Sequence, residues 1–426
     1  MDYFRYRDNQ LYCEDVPVEA IARQVGTPLY LYSAATLRSH YDNLTKAFAE
    51  LSPLICYSIK SCSNINICRL LAEWGSGFDV VSGGELYRAM QAGGSAEKVV
   101  YAGVGKTDDE LRMAIKAGIA YFNVESEDEL ANLCSIAGGM SKEVCAALRI
   151  NPDVDPVTHR YITTGKKETK FGVDMERALM VFEKFGRHAH VKLKGIHIHI
   201  GSGGSTVEPY AEAIEKTLGL IDELRSRGFE IEAINLGGGF GADYTTGQSP
   251  SAADYASVIV PLLRGKGLRL LMEPGRTISG NAGILLTRVI YTKRGGEKNF
   301  TIVDAGMNDL IRPPLYQAFH FIWPVQVAEG FSIENRDDPL ELPGTEKTDI
   351  VGPICESSDF MAKDRFLPPL TRGNLLSIFT AGAYGFAMSS QYNSRPRAAE
   401  VLVDGSEFRV IRRRETYEDL IALEKE

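Results

Sequence analysis

Between residues 54 and 273 the chain repeats one grammar eight times, and this repetition constrains the fold more than any single motif. A short apolar run ends in a polar or glycine-rich exit and gives way to a helix-patterned segment. The runs are LICYSIK (54–60), FDVV (78–81), KVVYAG (98–103), AYFNV (120–124), VCAALRI (144–150), KGIHIHI (194–200), EAINL (232–236) and LRLLME (268–273). INICRLLAEW (65–74), GELYRAMQAG (84–93), TDDELRMAIKAG (107–118) and ESEDELANLCSIA (125–137) place apolar residues three and four apart. Several of these open on an acid-rich turn that suits a helix N-terminus. Strand alternating with helix predicts a parallel sheet, and eight such units predict a closed (β/α)₈ TIM-type barrel within the α/β class. Past residue 279 the grammar changes: RVIYTKRG, NFTIVDAG, LLSIFTAGAYG, AAEVLVDG and EFRVIRRRE are β-type runs joined by loops. YFRYRDNQLYCE and TPLYLYSAATL near the start are also strand-like and are assigned to this second, mostly β domain. The expected organisation is a barrel over 35–278 and a β domain built from both chain ends, 1–34 and 279–426.

Length and charge narrow the function classes. The 426 residues leave room for two sizeable cores, and a net charge of -9 disfavours nucleic acid, which wants a basic face. The opening MDYFRYRDNQ mixes acids and bases and reads as neither a secretion signal nor a transit peptide. No apolar stretch approaches the roughly 20 residues needed to cross a bilayer. Seven cysteines, an odd number without a CxxC pair, suit neither a disulfide framework nor zinc, so the expected setting is a reducing cytoplasm.

The unusual polar residues collect at the C-terminal ends of the eight runs. Lys60 ends the first, Asp79 and Ser82 border the second, and Arg149 closes the fifth. His197 and His199 lie in the sixth and Gly201-Ser202 follow it; the seventh runs into NLGGGFG (235–241) and the eighth into MEPGR (272–276). In a barrel this edge is the catalytic face. Each residue has a plainer reading: a lone lysine snorkels to water, and a glycine run makes a tight strand exit. His197 and His199 share one side of a strand as a metal pair would, yet no third ligand stands at metal spacing, so no metal is expected. GGGFGA formally fits a dinucleotide fingerprint, but DYTTGQSP after it opens no helix; AGVGKTDD lacks the first glycine of a phosphate loop.

Taken together, these groups suit one chemistry. A neutral lysine amine attacks an aldehyde, and burial favours the neutral form. Glycine turns expose backbone N–H groups to a phosphate, and a carboxylate facing a pyridine nitrogen keeps that nitrogen protonated. Aldehyde, phosphate and pyridine describe pyridoxal 5'-phosphate, with Lys60 for the aldehyde and Glu273 for the ring nitrogen. Gly237, Gly238 and Gly239 with Ser202 would take the phosphate, and His199 the ring face.

The motifs also carry a resemblance. YSIKSCSN, FDVVSGGEL, RINPDVDPVTHRYITTGKKETKFG, HIHIGS, NLGGGFG, EPGR, DAGMNDLIRPPLY, GPICESSDF and GAYGFAMSSQYNSRPR follow one another as in the fold type III pyridoxal-phosphate decarboxylases. Within that group the chain is most similar to the diaminopimelate decarboxylase family. The resemblance implies an alanine-racemase-like barrel, a homodimer with shared active sites, and decarboxylation of meso-2,6-diaminopimelate to lysine. It implies Lys60 as the cofactor's lysine and Cys355, from the partner subunit, as proton donor. Asp79, Arg149, His199, Ser202, Gly237, Gly238, Gly239, Glu273, Gly275, Arg276 and Tyr384 are expected around the cofactor. Arg276, Arg312, Tyr316, Glu356 and Tyr384 are expected on the substrate. An arginine fork binds a carboxylate and a glutamate suits an ammonium, so Arg312 favours diaminopimelate over substrates whose distal end is only an amine. The alternatives are a decarboxylase of this fold acting on ornithine, arginine, carboxynorspermidine or another amino acid and, more remotely, an inactive regulatory homologue. SCSN in place of the family's frequent ANSN, and no glutamine after Gly-Ser, touch no expected catalytic group.

Overall fold

The computed structural model describes residues 2–154, 170–201 and 206–425. All eight apolar runs form strands: β1 Leu54–Ser58, β2 Gly77–Val80, β3 Val99–Tyr101, β4 Tyr121–Val124, β5 Val144–Asn151, β6 Val191–Ile198, β7 Ala233–Asn235 and β8 Arg269–Met272. Each is parallel to its neighbours, β8 pairs back to β1, and β4 pairs with β5, so the eight-stranded sheet closes. A two-residue strand, Val173–Asp174, adds to β5 outside this ring. The strands are apolar because both faces are covered, one by helices and one by the barrel interior. Leu54, Cys56, Val100, Tyr121, Ala147, Ala233 and Leu271 pack into a plug from six of the strands. Helices Ile65–Glu73, Gly83–Gln91, Asp108–Ala117 and Glu127–Gly139 follow the first four strands. Their starts are written in sequence: Asn64, Ser82, Thr107 and Ser126 each accept a backbone N–H from the first turn, and Thr107 completes a capping box with Glu110.

Contacts divide the chain into two units. One contains Tyr41–Gly241 and Ser249–Gly275, which is the barrel; the other contains Met1–His40, Ala242–Gln248 and Arg276–Glu426. The second unit is built on a sheet whose long strand Gly283–Gly295 pairs with Leu29–Ser33, Lys298–Val303 and Leu375–Ile378. Leu29–Ser33 in turn lies parallel to Ala399–Asp404, so both chain ends meet in this mostly β domain. The strand-like opening folds into a hairpin, Phe4–Arg7 with Gln10–Cys13, across Asp8 and Asn9, both at positive φ as a tight hairpin turn requires. TPLYLYSAATL is strand only as far as Ser33; its second half begins the helix Ala34–Ala47.

Among the described residues five strands lie outside the predicted runs: Val16–Pro17, Val173–Asp174, Ile322–Pro324, Glu346–Val351 and Phe360–Leu367. The last is the sheet edge and reads FMAKDRFL, with Lys363 and Asp364 exposed. Charge on an edge strand discourages pairing with other chains, and it also hides the strand from an apolar-run criterion.

Close strand contact in the barrel makes a test. A Cβ at Gly77 in β2 would overlap the Lys98 carbonyl oxygen and meet Cys56 Sγ at 3.1 Å, whereas one at Gly139 meets nothing within 4 Å. Gly77→Ala should lower unfolding free energy by about 1–3 kcal/mol, the usual cost of overpacking. Gly139→Ala, at the end of its helix, should be neutral or slightly stabilising in the same urea titration.

Candidate active site

Parallel closure puts the C-terminal ends of all eight strands at one mouth, and the expected barrel residues line it. Lys60 sits in the turn after β1 and Asp79 in β2; Arg149 lies in β5, and His199 and Glu273 directly follow β6 and β8. Adjacent-strand pairing sets Arg149, His197 and Asn235 side by side. Ser202 lies outside the described residues.

The Lys60 turn is tightly held. Ser61 Oγ donates to the Ser58 carbonyl at 2.8 Å, and the Ser58 N–H donates to the Pro274 carbonyl at 3.0 Å. A Cβ at Gly275 would come within 3.1 Å of both Ser58 and Ser61, so glycine there lets the EPG turn lie against the lysine turn. Lys60 Nζ is half-buried and donates to Asp79 Oδ2 at 2.9 Å; Ser58 Oγ donates to the same oxygen. Burial, with the Glu273 charge adding to it, pushes the Asp79 pKa up against the opposing pull of Lys60.

Glu273 has the opposite balance. Its side chain is buried, and Oε1 accepts from Asn123 Nδ2 at 2.8 Å and from Asn235 Nδ2 at 2.6 Å. His197 Nε2 stands 3.5 Å from Oε2. Burial alone raises this pKa, yet His197, Lys60 and the Asn235 bond together outweigh it and hold the carboxyl below its ordinary range. Two buried carboxylates therefore diverge: Glu273 is stabilised as an anion, whereas Asp79 is the readier proton acceptor.

His199 is neutral, its pKa lowered by burial and then by the nearby Arg149 and Lys60. The Gly238 N–H donates to His199 Nδ1 at 3.1 Å, so Nδ1 is the acceptor and Nε2 carries the ring proton. His197 faces Glu273 and His199 faces the glycine loop, so the two do not converge as a metal pair would. In that loop Gly237 and Gly239 have φ of 65° and 97°. A Cβ on Gly238 would lie 2.5 Å from the Glu273 carbonyl oxygen, and one on Gly239 would overlap the Gly201 carbonyl. Tyr210 Oη donates to the Gly238 carbonyl at 2.8 Å and pins the loop from below. Arg149 Nη1 is 3.0 Å from both carboxylate oxygens of Glu125, and its guanidinium lies 4.6 Å from the Phe171 ring centroid.

These residues fit pyridoxal phosphate. Asp79 Oδ1 and His197 Nδ1 are buried without a hydrogen-bond partner among the described residues, so the mouth holds polar capacity its own side chains leave unused. The donor set also fits: an amine for an aldehyde, an ionised carboxylate for a pyridinium, and a glycine loop with close backbone approach.

The β unit holds the other expected residues. Arg276 donates from Nη1 to the Tyr244 phenol oxygen at 2.7 Å and lies 5.0 Å from the Tyr384 ring centroid, Tyr384 itself being at φ 56°. Arg312 opens the short helix Arg312–Tyr316, with half-buried Tyr316 at its far end. Its Nη1 is 2.9 Å from His320 Nε2. Cys355 and Glu356 lie on an exposed loop. Asp359 clamps that loop by accepting the Ile354 and Met307 N–H groups, each at 2.6 Å. The Cys355 N–H donates to Asn393 Oδ1 at 2.9 Å, and Tyr392 Oη donates to Glu356.

Asn123, Asn235, Tyr244 and His320 were not among the expected site residues. For the two asparagines a signal existed: each is a polar residue near the end of an apolar run, in AYFNV and EAINL. Asn235→Leu tests what these donors do. At neutral pH it should cost about 1.5–3 kcal/mol of stability, the scale of a hydrogen bond to a charged group. Because the folded pKa of Glu273 is depressed, this contribution is complete above the unfolded carboxylate value and fades as pH falls through the folded one. Urea unfolding across a pH series should show the gap between wild type and variant closing only in strong acid.

Comparison with known proteins agrees with this geometry. Residues 34–280 match the family model described as the pyridoxal-dependent decarboxylase, pyridoxal binding domain. The diaminopimelate decarboxylase of Aquifex aeolicus is 46% identical over 98% of this chain and 96% of that protein. Among solved structures, diaminopimelate decarboxylase from Helicobacter pylori complexed with L-lysine has a TM-score of 0.89 at 40% identity, covering 95% of this chain and 98% of that one. The M. jannaschii enzyme in complex with L-lysine has a TM-score of 0.92 at 36% identity, covering 100% and 98%. A pyridoxal-type mouth on a closed barrel, matched over the whole chain at this identity, has one reading: the chain belongs to the diaminopimelate decarboxylase family of pyridoxal-dependent decarboxylases.

Proposed function

We propose that this chain decarboxylates meso-2,6-diaminopimelate to L-lysine and carbon dioxide, the last step of lysine biosynthesis, with pyridoxal 5'-phosphate as cofactor. When bound, the cofactor supplies an aldehyde for an amine and a ring that accepts the electron pair left by the departing carboxylate. Lys60 would hold the aldehyde, and Asp79, which accepts from Lys60 Nζ, is placed to take the ammonium proton that Lys60 must lose to act as a nucleophile. Glu273, kept ionised, holds the pyridine nitrogen protonated. His199, fixed by the Gly238 N–H, would lie against the ring, and Gly237, Gly238, Gly239 and Ser202 would bind the phosphate. Arg149, Gly275 and Tyr384 complete the cofactor surroundings. The Cys355 thiol then gives its proton to the carbon that lost carbon dioxide.

The observation that carries the substrate is Arg312. It is 6% exposed and makes no ion pair with a described carboxylate. A buried guanidinium without a counter-charge is costly, and a ligand carboxylate relieves that cost. Arg276, Arg312 and Tyr316 bind the distal carboxylate and Glu356 the distal ammonium, leaving the other end free to react. We further propose a homodimer in which Cys355 and Glu356 reach the partner's site; the exposure of both residues on a clamped loop supports this. All seven cysteines are free thiols, as a reducing cytoplasm would keep them. Among the described residues no helix is long and apolar enough to cross a membrane.

Incubation with meso-diaminopimelate and pyridoxal phosphate should release carbon dioxide and lysine in equal amounts. Turnover of ornithine without turnover of diaminopimelate would reverse the substrate assignment. Cys355→Ala should bind cofactor yet lose roughly 10²–10⁴-fold in kcat, the range for a general acid. Mixed with inactive Lys60→Ala protein it should regain part of the activity, and absence of any rescue would sink the shared-site arrangement.

A further inference from the structure

Two guanidinium groups packed close together repel, and burial magnifies the cost. Arg276 and Arg312 are 9% and 6% exposed, and the charge of Arg276 adds to burial in lowering the Arg312 pKa. Tyr244 is the group that reconciles them. Its phenol oxygen accepts from Arg276, and its ring centroid lies 5.0 Å from the Arg312 guanidinium, within cation–π range. Behind Arg312, His320 Nδ1 is 2.9 Å from the Phe379 carbonyl oxygen, which can only accept. His320 Nδ1 therefore carries the ring proton and Nε2 accepts from Arg312. The histidine is neutral, with burial and then Arg312 pushing its pKa down to about 3, so it orients the arginine without adding a third charge. Its ring meets that of Tyr244 edge to face at 5.3 Å.

Tyr244 is half-buried, and among the described residues none accepts its O–H. A phenol accepts and donates through one oxygen; with Arg276 on the acceptor side, the proton remains for a ligand. We infer that Tyr244 is a specificity-determining residue that, with Arg276 and Arg312, makes one receptor for the substrate's distal carboxylate. This rests on the function proposed above and adds to it a third donor. A carboxylate can accept from two guanidiniums and a phenol at once. A bare distal ammonium brings only donors and a third positive charge to the same place, and is rejected.

The test is discrimination within one preparation. The kcat/KM for meso-diaminopimelate is divided by that for lysine of either hand, which has hydrogen where the distal carboxylate stood. Tyr244→Phe keeps the ring but loses the oxygen; the ratio should fall about tenfold or more, the scale of one hydrogen bond to a charged group, chiefly through KM for diaminopimelate. The ratio does not depend on how much of the sample is folded. Should the phenylalanine variant yield no folded protein at all, Tyr244→Leu replaces it and must lower the ratio at least as far. An unchanged ratio in a wild-type-active enzyme, or a loss confined to kcat, would overturn the Tyr244 assignment alone. Failure of the wild-type protein to decarboxylate diaminopimelate would overturn the functional reading and this inference together.

Discussion

A carboxylate kept charged in the interior is the constraint on which the barrel mouth is organised. Glu273 is 4% exposed, and an isolated ionised carboxylate at that depth would take up a proton rather than keep its charge. What prevents this is a set of groups on different strands: Asn123 from β4, Asn235 from β7, His197 from β6, and the Lys60 charge beyond β1. Strands at β4 and β8 are not neighbours in the sheet, so only closure of the ring brings Asn123 to Glu273. The barrel is in this sense the means of assembling one ionisation state.

The supports extend a layer further out. Lys106, in the exit of β3, has a side chain with no exposed surface, and it donates to Glu129 Oε1 at 2.6 Å, the Gly103 carbonyl and the Asn123 carbonyl. Glu125, the next residue but one after Asn123, accepts the Gly103 N–H at 3.0 Å and pairs with Arg149. The exit of β4 is thus tied to β3 and β5 through buried, paired charges. Such pairs contribute little net stability when compared with apolar packing, but losing either partner is expensive. Their effect is to fix where the Asn123 amide points, and through it the Glu273 oxygen.

How much of this was legible beforehand follows from which interactions are local. The eight barrel strands are buried on both faces, so each appears as a continuous apolar run, and the helix starts carry their own capping residues; both signals are contained in a few consecutive positions. Lys60 and Glu273 stand out because a charge ending an apolar run is anomalous by itself, and Asp79 because it is a charge inside one. Tyr244 is different. It sits in DYTTGQ, a loop whose composition says only that it is a loop, and its meaning arises from contact with Arg276, Arg312 and His320, which lie 32 or more positions away. The edge strand Phe360–Leu367 escaped for a related reason: its charges answer to exposure in the folded sheet, which the sequence alone does not display.

The two clusters also differ in what they could tolerate. In the proposed reaction, Lys60, Asp79, His199 and Glu273 act on the cofactor, so their requirements stay the same whichever amino acid is decarboxylated. The Arg276–Tyr244–Arg312–His320 group has no such role. In the proposed function it directs buried positive charge at the end of the substrate that does not react, and without an anionic ligand that charge is a liability. A relative of this fold acting on a distal amine would gain stability by discarding it, while any member taking a dicarboxylate must keep an equivalent. Substrate range within the fold should therefore be read from the arginines and their neutral neighbours, and the chemistry from the barrel mouth.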